Sequence, residues 1–304
     1  MARQSHYRAM PLPLDELRDL IARHAGSATT APGILPGIVL GKENAPTPPC
    51  PEIVGPMLSV VVQGSKRMAI GAQDLTYGAG QYAILPVDLM LDAHVVSASR
   101  EVPFLGFGLL LRPEPIAELL LAAGTQVNDR TGVNRLSIGT LTQELSDPIT
   151  RLLRLLDRPA DIPVLARDIE REVLWRLICG PDGSLMRQLG AEDSHTARIS
   201  RATRWLREHL TEVVRIDQLA SVAGMSVTSF HRHFRAITSV SPIQYQKLLR
   251  LQAARTRLIA GSGGVAEVGF SVGYENPSQF SREYHRMFGH APGRDAAKKV
   301  LVDT

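Results

Sequence analysis

The stretch IDQLASVAGMSVTSFHRHFR, residues 216–235, decides the fold of the last third of the chain. Its apolar residues first recur at helical spacing, and Gly224 then supplies a residue that accepts the positive φ of a tight turn. Ser226 follows as a favourable N-cap for a second helix. In that helix Phe230 and Phe234 stand four residues apart, so one face is predicted to pack inward. The stretch therefore predicts a helix-turn-helix whose second helix presents polar and basic side chains outward.

The same pattern recurs in VAEVGFSVGYENPSQFSREYHRMF, residues 265–288. Gly273 occupies the turn, 49 residues after its counterpart, while Phe280 and Tyr284 follow theirs by 50. The second turn is therefore predicted to hold one extra residue. Arg282 likewise follows an arginine of the first unit by 50 residues. One such match is a weak signal, but two in tandem with an arginine at the equivalent place indicate DNA recognition.

Residues 242–260, between the two units, are predicted to form one long helix. Four apolar residues repeat along one side of it: Leu248, Leu251, Ala254 and Leu258. At a rise of about 1.5 Å per residue such a helix is about 28 Å long. Successive major-groove segments on one face of DNA lie about 34 Å apart. The spacing predicts a linker helix that lets a single chain reach two adjacent segments.

The charge distribution separates this basic part from the rest of the chain. Residues 195–304 hold 16 of the 34 Lys and Arg residues and 8 of the 30 Asp and Glu residues, a net charge of +8. Residues 1–194 hold the other 18 and 22, a net charge of −4. A basic module joined to a mildly acidic remainder is typical of a chain in which one module meets a polyanion. Such an asymmetry also arises by chance, so alone it leaves both explanations open.

Residues 33–112 show short apolar or β-branched runs separated by Gly, Pro and Asp, which indicates a barrel or a sandwich. The predicted strands are Gly37–Leu40, Met57–Gln63, Lys66–Ile70, Gln81–Leu85, His94–Ala98 and Phe104–Leu111. An amphipathic helix is predicted before them, over residues 14–25. After Arg112 the strands are expected to stop. Helices are predicted at 113–123, 146–157 and 161–179, and a linker at 190–194.

Several C-terminal segments resemble those of the AraC-type transcriptional regulators. They are SPIQY (241–245), LLRLQAAR (248–255), VGYENPSQFSR (272–282) and FGHAP (288–292). This resemblance covers about residues 198–295 and is highly specific. The N-terminal part is similar to the cupin-like domain of one branch of the family, on the strength of APTPP (45–49), VQGSK (62–66) and PVDL (86–89). Two departures are Ser239, where glycine is usual, and Gly269, where alanine is usual.

The resemblance implies a multidomain α+β fold. Residues 1–194 are expected to form a cupin-like β-barrel with appended helices, and residues 195–304 an all-α module of two helix-turn-helix units joined by a long linker helix. The implied function is sequence-specific regulation of transcription through double-stranded DNA, with a small-molecule effector bound by the N-terminal domain. The resemblance also implies a homodimer contact on helices 146–179 and leaves RNA polymerase open as a partner. The alternatives are a dimerisation platform without ligand for the N-terminal domain, and an architectural DNA protein for the whole chain.

By position, the family's DNA-facing residues correspond to eight positions here. They are Thr228, Ser229, His231, Arg232 and Arg235 in the first unit, and Ser278, Gln279 and Arg282 in the second. Arginine can contact guanine with two hydrogen bonds, and glutamine can contact adenine in the same way. Serine and threonine more often contact phosphates. A plain solvated side chain is the alternative for His231 and the arginines, and it weighs as much as a phosphate contact for Arg235.

The residues argue against an enzyme and against a bound metal or cofactor. Between residues 33 and 112 the only histidine is His94, and one imidazole cannot supply the ligand set of a cupin oxygenase. No catalytic sequence motif stands out. Cys50 and Cys179 form no CxxC pair, and neither a signal-peptide pattern nor an apolar run of membrane length is found. A cytoplasmic protein without a membrane partner is therefore expected.

Overall fold

A computed structural model describes residues 14–26, 35–70, 73–124, 136–191 and 194–297. The strands within these ranges are β1 (Ile38–Glu43), β2 (Cys50–Val54), β3 (Met57–Gln63), β4 (Ser65–Ile70), β5 (Gln73–Gly78), β6 (Gln81–Leu85), β7 (Leu89–Ser97), β8 (Phe104–Leu110) and β9 (Ser137–Thr140). The helices of the N-terminal part are α1 (Asp15–His24), α2 (Pro113–Ala122), α3 (Gln143–Arg154), α4 (Ile162–Cys179) and α5 (Gly183–Gly190). Those that follow are α6 (His195–Glu208), α7 (Ile216–Val222), α8 (Val227–Thr238), α9 (Pro242–Ile259), α10 (Val265–Ser271), α11 (Pro277–Phe288) and α12 (Pro292–Ala297).

The strands form two antiparallel sheets. One has the order β1-β8-β3-β6-β9 and the other the order β2-β7-β4-β5. Alternation along β3 divides its side chains between two cores: Leu58 and Val60 lie in the core formed with helices α1 to α5, whereas Val61 packs with residues of the second sheet. The five-stranded sheet is therefore covered on both faces. This explains why its strands are more continuously apolar than a half-exposed sheet requires.

Each of the six predicted strands coincides with an observed one, but β2, β5 and β9 were not predicted. The expectation that strands stop after Arg112 is wrong, because β9 pairs with β6 at the edge of the five-stranded sheet. This strand is fixed by tertiary contacts. A Cβ at Gly139 would stand 2.3 Å from the ring of Tyr82. The hydroxyls of Tyr82 and Ser137 both donate to Asp182, at 2.7 and 2.5 Å.

The predicted helices of the N-terminal part are confirmed as α1 to α4, and α5 is an addition. The predicted helix 161–179 ends at Cys179, as α4 does, and α5 begins four residues later, at Gly183. Of the predicted linker, Gly190 closes α5 and Ser194 caps α6, accepting a hydrogen bond from the Ala197 N–H at 3.0 Å. Residues 192 and 193 lie outside the described ranges.

The helical C-terminal part packs against the four-stranded sheet. Asp88, which is 6% exposed, accepts a hydrogen bond from the Thr203 hydroxyl at 2.8 Å and forms an ion pair with Arg207, both on α6. On α9 the side-chain amide of Gln252 pairs with the backbone of Ile53 in β2, accepting from its N–H at 2.9 Å and donating to its C=O at 3.2 Å. Two helices are thus held to the sheet by specific polar contacts.

None of the described helices is both long and apolar enough to cross a membrane.

Candidate nucleic-acid interface

The two helix pairs, α7–α8 and α10–α11, are built alike. The first helix of each pair has 7 residues and the second has 12. The turn between α7 and α8 holds residues 223–226, and that between α10 and α11 holds residues 272–276, so the predicted extra residue of the second turn is confirmed. Gly224 and Gly273 both have positive φ, +62° and +90°.

Polar side chains cap the second helix of each pair. The Ser226 hydroxyl accepts a hydrogen bond from the Ser229 N–H at 3.4 Å, which begins α8. The Asn276 side chain accepts from the N–H groups of Ser278 and Gln279, at 2.9 and 3.2 Å, which begins α11. Pro277 occupies the first position of α11, where its missing N–H costs no helical hydrogen bond. The sequence signals for both helix starts are confirmed.

Aromatic side chains hold the inner face of each second helix. Phe230, Phe234, Phe280 and Tyr284 are all 0% exposed. Phe234 meets Tyr245 of α9 edge to face, with ring centroids 5.6 Å apart. These residues are core, as the spacing predicted, and they fix which face of α8 and α11 points outward.

The predicted DNA-facing residues lie on those outward faces. Seven of the eight are exposed and Ser229 is partly buried. Equivalent positions match: Thr228 and Ser278 are second in their helices, and Arg232 and Arg282 are sixth. The two helices therefore present side chains of similar chemistry in the same places.

The arginines on these faces differ from several others in this part of the chain, which form ion pairs with carboxylates. Among the described residues, no carboxylate lies within ion-pair distance of Arg232, Arg235 or Arg282. The Arg282 Nε donates only to the C=O of Ser278 in its own helix, at 3.3 Å. Arg204, by contrast, pairs with Glu114 of α2 at 3.1 Å. The outward guanidinium groups remain available for an anionic partner.

Glu283 links α11 to the long helix α9, a contact that the sequence analysis missed. Its carboxylate accepts from Lys247 of α9 at 2.9 Å, from the Tyr274 hydroxyl at 2.9 Å and from Gln279 at 3.3 Å. Burial raises the pKa of Glu283, but these hydrogen bonds outweigh it and bring the pKa below its usual value. The ionised carboxylate thereby holds Gln279 in place on the outward face.

Arg250 of α9 ties the two helix pairs together. Its guanidinium donates to three backbone carbonyls: those of Leu210 and Glu212, before α7, at 2.8 and 3.0 Å, and that of Gly273, in the second turn, at 2.9 Å. Sequence analysis placed Arg250 only in a family segment. It is one of several basic residues beside the apolar repeat of this helix, and that position does not identify its partners.

The departures from the family pattern have distinct consequences in the structure. Ser239, at the C-cap of α8, has φ +70°, and Gly289 at the equivalent end of α11 has φ +75°. A side chain in this region is strained, so Ser239 carries a cost that Gly289 avoids. Gly269 of α10 lies against the ring of Phe280, where an added Cβ would stand 3.0 Å from the ring.

His94 does not lie between the two sheets. It sits on the outer face of β7, with its Nδ1 3.8 Å from Asp92 Oδ1. In the part of the chain that the structure describes, no group of three or more His, Cys, Asp or Glu residues is arranged to hold a metal ion.

Comparison with protein families matches both parts of the chain. The family model described as "AraC-type transcriptional regulator N-terminus" matches residues 34–185, which is 152 of the 304 residues. A second family model, "Helix-turn-helix domain", matches residues 219–297, from within α7 to the end of α12.

Curated relatives include the HTH-type transcriptional activator RhaS of two species. The protein of Escherichia fergusonii is 27% identical over 164 residues, which cover 52% of this chain and 58% of that protein. The protein of Salmonella schwarzengrund is 28% identical over 163 residues, covering 51% and 58%. The match thus spans less than two thirds of the length of these relatives.

Solved structures of ToxT from Vibrio cholerae share the fold. The wild-type protein of strain SCE256, bound to an unsaturated fatty acid, has a TM-score of 0.58 and 9% identity, covering 86% of this chain and 94% of that one. The O395 protein, bound to (E)-4-(8-methylnaphthalen-1-yl)but-3-enoic acid, has a TM-score of 0.59 and 9% identity, covering 88% and 97%. The likeness covers both the N-terminal sheets and the C-terminal helices.

Proposed function

Because the chain belongs to the AraC-type transcriptional regulators, we propose that residues 195–304 form a domain that binds a specific double-stranded DNA site. The observation that carries this proposal is the matched outward face of α8 and α11, on which Arg232 and Arg282 stand without a carboxylate partner among the described residues. Each arginine reads a guanine in the major groove, and Gln279 reads an adenine.

The remaining outward residues position the helices on the DNA. Thr228, Ser229 and Ser278 lie in the first turn of their helices, where hydroxyls and backbone N–H groups favour phosphate oxygens. His231 and Arg235 lie further along α8 and contact the adjoining backbone or base edges.

The long helix α9 is the linker between two helix-turn-helix units in this proposal. Its 18 residues span about 27 Å at 1.5 Å per residue, close to the spacing of about 34 Å between adjacent major-groove segments. The contacts of Arg250 and of Lys247 with Glu283 support a fixed arrangement of the two units. One chain can then occupy both segments.

We further propose that residues 1–194 form a cupin-like barrel that responds to a small-molecule effector and catalyses nothing. Support comes from the ToxT structures of the same fold, which hold a fatty acid and an aryl butenoic acid. The alternative is a dimerisation platform with a filled interior. A homodimer through α3 and α4 and RNA polymerase as a partner belong to the same proposal and rest on the family resemblance. The absence of a metal rests on the single histidine of residues 33–112, and a cytoplasmic location on the sequence features described above.

Selection of bound DNA from a random pool, using the full-length protein, tests the DNA-binding proposal. Arg232→Ala and Arg282→Ala are each expected to weaken binding to the selected site by about 1–3 kcal/mol and to relax the preference at one position. Arg112→Ala, which removes an exposed arginine paired with Glu170 in the N-terminal part, controls for loss of charge alone. If both variants keep the parent's affinity and preference, the assignment of base-contacting residues is wrong.

An architectural DNA protein would give a different result when the same full-length protein is tested for where it binds along DNA. Architectural proteins bind shape and backbone, usually through the minor groove. Footprinting on genomic fragments is expected to show a few discrete protected sites. Diffuse coverage without enrichment in the selection would support the architectural alternative.

A further inference from the structure

A group of polar side chains lies inside the N-terminal two-sheet unit, away from α8 and α11. Strand register gives their direction: Lys66 is directly opposite Tyr77 and Val95, and Glu52 is directly opposite Leu91. Directly opposite residues of antiparallel strands project on the same face of a sheet. Tyr77, Leu91 and Val95 are buried in the core that the sheets share. Both charged side chains therefore point between the sheets.

Two hydroxyl groups also lie between the sheets and contact each other. The Ser59 hydroxyl, on the five-stranded sheet, lies 2.9 Å from the Tyr77 hydroxyl on the four-stranded sheet. Burial raises the pKa of Tyr77 to about 12, although the hydrogen bond with Ser59 opposes the rise. The phenol therefore keeps its proton at neutral pH and can donate it in a hydrogen bond. An ammonium, a carboxylate and two hydroxyls share this interior.

The two charged groups lack close polar partners. Within the described residues, neither the Lys66 ammonium nor the Glu52 carboxylate makes a hydrogen bond or an ion pair, although the two charges act on each other over a longer distance. Burial lowers the pKa of Lys66 and raises that of Glu52. Both side chains are only partly exposed, and holding a charge there without hydrogen bonds costs stability. Groups whose pKa values are perturbed in this way cluster at functional sites.

The edge strands of the two sheets are partly exposed. β1 and β2 are edge strands, one at an end of each sheet. Their inward residues Val39, Glu52 and Val54 are partly exposed, whereas Leu89 and Leu91 of the adjoining strand β7 are buried. Solvent therefore reaches the inward side chains of these two edge strands, Glu52 among them.

We propose that this interior is the effector site, and that it takes a small organic carboxylate that also carries a hydrogen-bond donor, as hydroxy acids and amino acids do. The proposal rests on the effector-binding function proposed above for the N-terminal region. Lys66 and the Tyr77 hydroxyl bind the carboxylate, and Glu52 accepts the hydrogen bond of the donor. The single ammonium of Lys66, with the Glu52 carboxylate nearby, suits a ligand with one negative charge. A phosphate dianion is usually bound by several cationic donors.

Strand β2 connects this site to the DNA-binding helices. Next to Glu52, the backbone of Ile53 pairs with the Gln252 amide of α9. Arg255 of the same helix donates to the Cys50 sulfur, and its charge acts on Glu52 to lower the pKa that burial raises. A ligand held by Glu52 therefore acts on the strand to which α9 is fastened.

Thermal unfolding of the full-length protein tests the site. The probes are lactate, mandelate, alanine, leucine and phenylalanine, each beside its primary amide, which lacks the carboxylate charge. At least one carboxylate is expected to raise the Tm by a few degrees while its amide does not, because only the carboxylate uses Lys66. Lys66→Met is expected to abolish the shift, and Glu52→Gln to weaken the affinity for the same probe at least tenfold.

Arg67→Met is the matched control. Arg67 is next to Lys66 on β4 but faces outward, where it pairs with Asp74, so this variant should bind the probe as the parent does. Should Lys66→Met fail to fold by circular dichroism, Tyr77→Phe removes one carboxylate donor and should weaken binding. The proposal is overturned if no carboxylate shifts the Tm of the parent, or if a folded Lys66→Met binds as the parent does.

Affinity for the selected DNA site, measured on the same samples, separates the two proposals. A parent protein that binds its DNA site but none of the carboxylates contradicts the effector proposal and leaves DNA recognition intact. A parent protein that binds a carboxylate but shows no preference for any DNA sequence contradicts the proposed DNA-binding function. The proposed carboxylate site then still stands.

Discussion

The two helix pairs present the same outward face, but they are held in the molecule in different ways. α7 and α8 bury Leu219, Phe230 and Phe234 in a core that continues into the four-stranded sheet. α10 and α11 bury Val268 and Phe280 in a separate and smaller core with the end of α9. The first pair is thus joined to the N-terminal part by apolar packing. The second is joined to it mainly through α9 and polar contacts.

Polar groups also organise the second core itself. Asp295 is 0% exposed and accepts a hydrogen bond from the Tyr284 hydroxyl at 2.7 Å, with His290 Nε2 at 2.9 Å and Arg255 Nε at 3.3 Å from the same oxygen. Such contacts fix geometry closely but bury little apolar surface. A region with a small core of its own opens at a lower free energy than one that shares a large core. We therefore expect the second pair to move independently of the first.

Equal truncations in the two cores give the largest expected effect. Phe230→Ala and Phe280→Ala each remove a fully buried ring, which typically costs about 3–5 kcal/mol. Phe230→Ala is expected to lower protection from hydrogen exchange in α7, α8 and β7 together. Phe280→Ala is expected to lower it in α10 to α12 only. Hydrogen exchange resolved by mass spectrometry measures both patterns.

Phe270→Ala is the control for this pair of variants. Phe270 lies in α10 but is 54% exposed, so its truncation should leave exchange nearly unchanged. If Phe280→Ala unprotects β7 as much as Phe230→Ala does, the two helix pairs belong to one cooperative unit and the distinction between them is wrong.

Gln252→Ala sharpens the comparison by removing the polar contact between α9 and β2. Two hydrogen bonds are lost, for an expected cost of about 1–2 kcal/mol, since Ile53 lies in an edge strand whose backbone water can reach after the change. The Ile53 amide is expected to exchange faster, with little change in α8. NMR-detected exchange of that amide gives the measurement. Gln244→Ala, at the exposed start of α9, is the control and should leave the exchange rate of the Ile53 amide unchanged. Equal exchange rates in the parent and in Gln252→Ala would contradict the contact.

The smallest effect is expected at the two C-caps. Ser239→Gly should stabilise the protein by about 1 kcal/mol, because it removes the strain of a side chain at φ +70°. Gly289→Ser should destabilise the second pair by a similar amount, since Gly289 has φ +75°. Urea unfolding measures the first change, and hydrogen exchange in α11 the second. A stability loss in Ser239→Gly would show that contacts of the serine outweigh its backbone strain.

Local sequence patterns predicted the elements that local physics determines. The turn glycines, the caps Ser226 and Asn276, and the four-residue spacing of aromatic residues predicted both helix pairs and the extra residue of the second turn. The six clearest strands followed from apolar runs between turn signals. β9 escaped because its four residues carry no such alternation, and its place is fixed by Tyr82 and Asp182.

The sequence by itself therefore determined most of the strands and helices, the paired units and the side of each second helix that faces outward, because these depend on neighbours within a few residues. Tertiary structure alone decided the contacts between distant segments. Gln252 meets Ile53 across 199 residues, and Thr203 meets Asp88 across 115. The pairing register of the strands directs the Lys66 side chain between the two sheets. Such contacts depend on how whole elements pack, since a hydrogen bond needs its two atoms within about 3 Å, and no periodicity along the chain encodes that approach.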